Sequence, residues 1–85
     1  MVNLIGQEEK CMVRSITITS NEQVEKINRL ACKTPYEVWL STDTLMLDAR
    51  SLLGLFVLIG QRVNVVAEDN VNPKAFSRLI DKMAN

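Results

Sequence analysis

Three kinds of side chain in this sequence could take part in chemistry: the Ser51 hydroxyl, the Cys11 and Cys32 thiols, and the Asp48, Glu68 and Asp69 carboxylates. Ser51 is the most informative. It follows a charged, turn-like lead-in (Asp48-Ala-Arg50) and precedes Leu52-Leu-Gly54-Leu-Phe-Val57, which holds more apolar side chains than one helix face can bury. A hydroxyl there can cap the first amides of a helix, worth about 1 kcal/mol. It can also accept a phosphoryl group, a dianion tolerated at the positive end of a helix dipole. The two roles are compatible. Cys32 stands beside Lys33, a cation that favours thiolate, but a small apolar residue at the end of a helical stripe is the preferred reading. Asp48, Glu68 and Asp69 offer oxygen ligands to a hard cation, yet read better as solvated turn carboxylates.

The chain has no histidine. That excludes a histidine base for nucleophilic catalysis and removes a principal zinc ligand. The glycines are isolated at 6, 54 and 60, so no glycine-rich phosphate loop is present. A paired-carboxylate hydrolase has no support in the spacing. We therefore expect no enzyme, no metal and no cofactor.

At 85 residues the chain is at most one small domain, of a size that buries only roughly 60 % of the surface it exposes unfolded. An apolar fraction of 47 % suffices for a core, and ten basic residues balance ten acidic ones. Without a basic excess, and with few aromatic side chains, nucleic-acid binding is not expected. The longest apolar run, Leu52 to Ile59, contains Gly54 and falls far short of the roughly 20 residues of a membrane span. Val2 to Gly6 is too short for a signal-peptide core, and neither cysteine belongs to a CxxC pair. A cytoplasmic protein with reduced thiols is expected.

Residues 1–10 show no periodicity and are expected to form a flexible extension, with Met12 as an alternative start, leaving residues 11–85 as one domain. Met12 to Thr19 alternates, with Ile16 and Ile18 on one face, and predicts a strand. Ser20-Asn-Glu-Gln23 fits a capping box. Val24, Ile27, Leu30 and Ala31 then recur at helical spacing until Thr34-Pro35 disfavours continuation near Cys32 or Lys33. Tyr36 to Ser41 and Thr44 to Leu47 alternate around Thr42-Asp43 and predict a hairpin. Leu52, Leu55, Phe56 and Ile59 suggest a short helix closed by Gly60, with Leu53 and Val57 left exposed. Gln61 to Ala67 predicts a fourth strand. Asn72-Pro73 starts a last helix with its stripe at Ala75, Phe76, Leu79, Ile80 and Met83.

The order βαββαβα predicts an α+β domain: an open-faced two-layer sandwich with a four-stranded antiparallel sheet and three helices on one face. Ser15, Thr17, Glu37, Ser41, Arg62 and Asn64 suit the solvated face.

This order and the central segment resemble HPr, the small histidine-containing phosphocarrier of the bacterial sugar phosphotransferase system. Ile16-Thr-Ile-Thr19 resembles the family's first strand. Asp48-Ala-Arg-Ser51-Leu-Leu-Gly54 resembles the entry to its second helix, with Ser51 at the place of the regulatory serine. Ala67-Glu-Asp and the helix to Met83 resemble its last strand and helix. The chain departs from the family where the phosphoacceptor histidine and its loop should lie, because Thr19 runs through Ser20-Asn21 into the helix cap. The resemblance implies an HPr-like protein that cannot relay phosphate through histidine. It implies a regulatory, protein-binding module switched at Ser51 by an ATP-dependent HPr kinase. Leu52, Leu53, Gly54, Phe56 and Val57 would form its partner-binding patch. HPr kinase and other phosphotransferase-system proteins are the implied partners, and a monomer or weak dimer is expected. The alternative is a small ligand-binding or oligomerisation domain on an HPr-like scaffold. A third reading, an enzyme using Cys32, predicts rapid labelling of the folded protein by thiol reagents.

Overall fold

The computed structural model describes residues 12–68 and 70–84. The extension expected over residues 1–10, and Asp69 with its possible ligand role, lie outside them. The described elements are β1 (Met12–Thr17), α1 (Asn21–Lys33), β2 (Val38–Ser41), β3 (Met46–Asp48), α2 (Leu52–Leu55, continued by a 3-10 turn over Phe56–Leu58), β4 (Arg62–Ala67) and α3 (Pro73–Ala84). The expected βαββαβα order is observed.

The four strands form one antiparallel sheet in the order β1-β4-β2-β3. Its register aligns Ser15, Asn64, Ser41 and Met46 across the sheet, and next to them Val13, Val66, Trp39 and Asp48. Alternation then puts Ile16, Val63, Val65, Val38 and Leu40 under the helices, all buried. Val24, Ile27 and Ala31 of α1 and Phe76, Leu79, Ile80 and Met83 of α3 close the core from above. The opposite face is the solvated one: Ser15, Thr17, Arg62 and Asn64 are exposed, and Ser15 donates to Asn64 Oδ1 at 3.2 Å. This face is not uniformly polar, because Val13 is 49 % exposed and Trp39 and Val66 are half-buried in the same row.

Both long helices start as their sequences indicate. Ser20 Oγ accepts from the Gln23 N–H at 3.1 Å. Asn72 Oδ1 accepts from the Lys74 and Ala75 N–H groups at 2.8 and 3.3 Å, ahead of Pro73 at the first helical position. Thr34 ends α1, its hydroxyl donating to the Leu30 carbonyl at 2.7 Å.

The hairpin and α2 differ from expectation. Its two central turn residues are Asp43-Thr44, one position later than expected. The Thr42 hydroxyl accepts from the Thr44 and Leu45 N–H groups at 3.3 and 3.1 Å, standing in for the backbone carbonyl of an ordinary turn. Strand β3 consequently starts at Met46, and Leu45 is exposed rather than paired with Leu47 on a covered face. Strand β1 stops at Thr17, although Ile18 stays fully buried and donates to the Gln61 carbonyl at 3.0 Å. In α2 the buried side chains are Leu55 and Leu58, whereas Leu52 is 37 % exposed. A tightened 3-10 turn moves the stripe from the 3.6-residue spacing toward three.

Candidate functional site

The turn that carries Ser51 is built from Asp48. Its Oδ1 accepts from the Arg50 N–H at 2.9 Å, and its carbonyl accepts from the Ser51 N–H at 2.9 Å. Between them Ala49 is fully buried. Its N–H donates to the Val38 carbonyl at 3.0 Å, and its own carbonyl accepts from Asn28 Nδ2 at 3.2 Å. The turn is therefore tied both to β2 and to α1, and it presents Arg50 and Ser51 outward. The Arg50 Nη2 lies 2.6 Å from Glu37 Oε1, and its Nε lies 3.8 Å from Asp48 Oδ1. Its hydrogen bond to Glu37 is the main cause raising its pKa, so the guanidinium beside Ser51 is always charged.

The expected Ser51 cap is not made. The Ser51 carbonyl starts α2, accepting from the Gly54 and Leu55 N–H groups at 3.1 and 3.3 Å, but the hydroxyl accepts from neither. The cause is backbone geometry. Ser51 has φ −94° and ψ 88°, whereas the effective cap Ser20 has the extended φ −153° and ψ 164° that aims its oxygen at the third residue on. The Ser51 hydroxyl instead lies 3.6 Å from where a Cβ on Gly54 would stand. Ser51 is exposed and has no hydrogen-bond partner for its hydroxyl among the described residues.

Beyond Ser51, the outer side of α2 is apolar. Leu53 is 83 % and Val57 58 % exposed, with Leu52 beside them. Gly54 is only partly exposed, backed by Leu47 of β3, whose Cδ1 lies 3.7 Å from the Gly54 Cβ position. Phe56 is half-buried and packs against the core rather than standing out with Leu53 and Val57. Leu52 also forms one wall of a groove of about 450 Å³ against α1, which contributes Glu25, Asn28, Arg29, Cys32 and Lys33. Cys32 is a free, exposed thiol, not the covered end of the α1 stripe. The stripe passes through Val24, Ile27 and Ala31, and one residue further turns outward. Rapid labelling of Cys32 thus follows from exposure alone and no longer distinguishes an enzyme.

The two other carboxylates considered as ligands are occupied with backbone donors. Glu68 Oε2 accepts from the Glu37 N–H at 2.6 Å, and Asp48 Oδ1 from Arg50. Among the described residues no cluster of three metal-ligating side chains occurs, and no helix is long and apolar enough to cross a membrane.

One residue escaped the sequence reading except as part of a capping box. Gln23 is the one polar residue buried in the core among those described, at 5 % exposure. Its Oε1 accepts from the Thr19 N–H at 2.8 Å and the Thr19 hydroxyl at 3.0 Å. Its Nε2 donates to the Thr17 and Met83 carbonyls, both at 3.0 Å. The strand-to-helix passage is only Ile18-Thr19-Ser20, and this amide holds it from beneath while pinning the end of α3.

No protein-family model matches the sequence, and no curated protein matches it. Among solved structures, the phosphocarrier protein HPr from Bacillus anthracis str. Ames is similar with a TM-score of 0.63 at 12 % identity, over 87 % of this chain and 93 % of that one. HPr-C-His from Thermoanaerobacter tengcongensis gives a TM-score of 0.64 at 22 % identity, over 85 % of this chain and 88 % of that one. The chain has an HPr-like fold. At these identities the likeness concerns the fold; function must be argued from the site.

Proposed function

We propose that this chain is an HPr-like protein without phosphohistidine relay and without enzymatic activity, a regulatory module that binds other proteins through Leu52, Leu53 and Val57. Phosphorylation of Ser51 is its switch. The observation that carries this reading is the Ser51 hydroxyl, exposed and free of any cap bond, next to two strongly exposed aliphatic side chains on an HPr-like fold. Covering a leucine or valine side chain contributes about 1.5–3 kcal/mol. A phosphate of charge about −2 beside that surface opposes apolar partners and favours arginine-bearing ones. Arg50 is the nearest cation in sequence, and a phosphate would compete with Glu37 and Asp48 for it.

The test is calorimetric titration of the full chain with an HPr kinase and with the general phosphotransferase enzyme. Binding to the kinase that drops at least tenfold in the exposed double variant Leu53→Ser, Val57→Ser is expected. Equal binding by the double variant removes the patch from the account. Self-association of the free chain that vanishes in the same variant would assign the patch to a second copy and refute the regulatory reading.

A further inference from the structure

A second groove, distinct from the Ser51 patch, runs between the C-terminal turn of α1 and α3. Its volume is about 400 Å³; Leu30, Tyr36 and Leu79 supply apolar walls, and Lys33, Arg78 and Lys82 stand around it. Leu79 is buried, Leu30 and Tyr36 are half-buried, and all three cations are exposed. Described carboxylates do not line it, and none of the three cations takes part in an ion pair among the described residues, where the pairs found belong to Arg50. In a chain of zero net charge this is a local concentration of positive charge around an apolar recess. Arg78 and Lys82, four apart on α3, lie one turn from each other. Lys33 faces them from the other helix.

We propose that this groove binds an acidic peptide segment of a partner protein, a bulky apolar side chain entering between Leu30, Tyr36 and Leu79 while flanking carboxylates meet Lys33, Arg78 and Lys82. Charge complementarity selects the occupant. Carboxylates on both sides of the anchor satisfy cations on both helices, and a basic or neutral segment leaves them unmatched. The Tyr36 phenol is neutral at pH 7, and burial raises its pKa further, so it offers no repulsion. The size suits one anchoring side chain with its neighbours. A nucleic-acid strand would call for a longer basic track, and a membrane surface for protruding apolar residues where this site is recessed.

The experiment titrates the 15N-labelled full chain with the synthetic peptide Glu-Glu-Leu-Phe-Glu-Glu, with Lys-Lys-Leu-Phe-Lys-Lys, and with vesicles of phosphatidylcholine and phosphatidylserine. The acidic peptide should give saturable amide shifts confined to residues 30–36 and 75–82. Affinity should fall about tenfold or more when Lys33, Arg78 and Lys82 are all changed to Glu, and should weaken with added salt. A spectrum of that variant that otherwise overlays the native one establishes that it is folded; if it is not, the single change Arg78→Glu must still weaken binding several-fold. The control Leu53→Ser should bind as the native chain does. No saturable shift at millimolar peptide, equal response to the basic peptide, or binding only to the anionic vesicles overturns the proposal.

Discussion

Replacing Gln23 by leucine keeps the size of the side chain and removes every polar contact it makes. Four groups then lose their partner: the Thr19 N–H and hydroxyl, and the carbonyls of Thr17 and Met83, at present held at 2.8–3.0 Å. The contacts to Thr17 and Thr19 are part-buried, so water recovers some of them, while that to Met83 is buried. Leaving a buried group unsatisfied costs about 1–3 kcal/mol, and a part-buried one sits at the low end. Against this, leucine avoids desolvating the amide itself. The balance is a loss of about 2–4 kcal/mol, or roughly 8–30 °C in melting temperature for a domain of this size. Urea denaturation followed by Trp39 fluorescence measures it, since the chain has one tryptophan. A useful companion is Gln23→Glu, whose carboxylate would face the Thr17 and Met83 carbonyls and hold its own proton more tightly in the folded state than unfolded. Its deficit relative to the native chain should therefore shrink as pH falls toward 4. A loss under 1 kcal/mol for Gln23→Leu would refute the claim that this amide ties β1, α1 and α3 together.

Gly60 has φ +89°, with nothing within 4 Å of a would-be Cβ, so Gly60→Ala should cost about 1–2 kcal/mol from backbone strain alone, read by the same denaturation. Gly54 is the opposite case. A Cβ there meets only ordinary contacts at 3.6–3.8 Å, and Gly54→Ala should raise stability by about 0.4–1 kcal/mol. Tyr36, the one tyrosine of the chain, has a pKa raised above 10.0 by burial. Its folded pKa exceeds the unfolded one, so the stability it contributes is complete below pH 10 and is lost as pH rises through the folded value; ultraviolet titration of native against denatured protein should show the later midpoint in the native state. Ser51→Ala should change stability by less than about 0.5 kcal/mol, because no cap bond is lost, and a cost near 1 kcal/mol would restore the cap.

What could be read from the sequence was governed by periodicity and by short-range chemistry. The stripes of α1 and α3, the alternation in β4, and the caps at Ser20 and Asn72 are local patterns, and each appears in the fold as its spacing indicates, whereas β1 ends at Thr17 and β2 begins at Val38, each two residues short of the expectation. The hairpin turn lies one position later than expected because the Thr42 hydroxyl stands in for a backbone carbonyl, a side-chain bond that the Asn-Gly rule for tight hairpins does not cover. Ser51 has the residue type of a cap, but the buried anchoring of Ala49 to Val38 and Asn28 sets the backbone ahead of it, and that depends on tertiary contacts. Cys32 turned outward by one helical position. Gln23 looked like half of a local box and proved to span sixty residues to Met83, a distance no window of sequence can reveal. The groove over Leu30 and Leu79 is likewise made by two helices far apart in sequence.

We propose that Ser51, exposed and uncapped, takes up phosphate on this fold. Intact-mass spectrometry after incubation of the full chain with ATP and an HPr kinase, and separately with phosphoenolpyruvate and the general phosphotransferase enzyme, decides this. One phosphate from ATP, absent in Ser51→Ala, and none from phosphoenolpyruvate are the expected results. No phosphate from ATP, or a phosphate gained from phosphoenolpyruvate by a chain with no histidine, would contradict it.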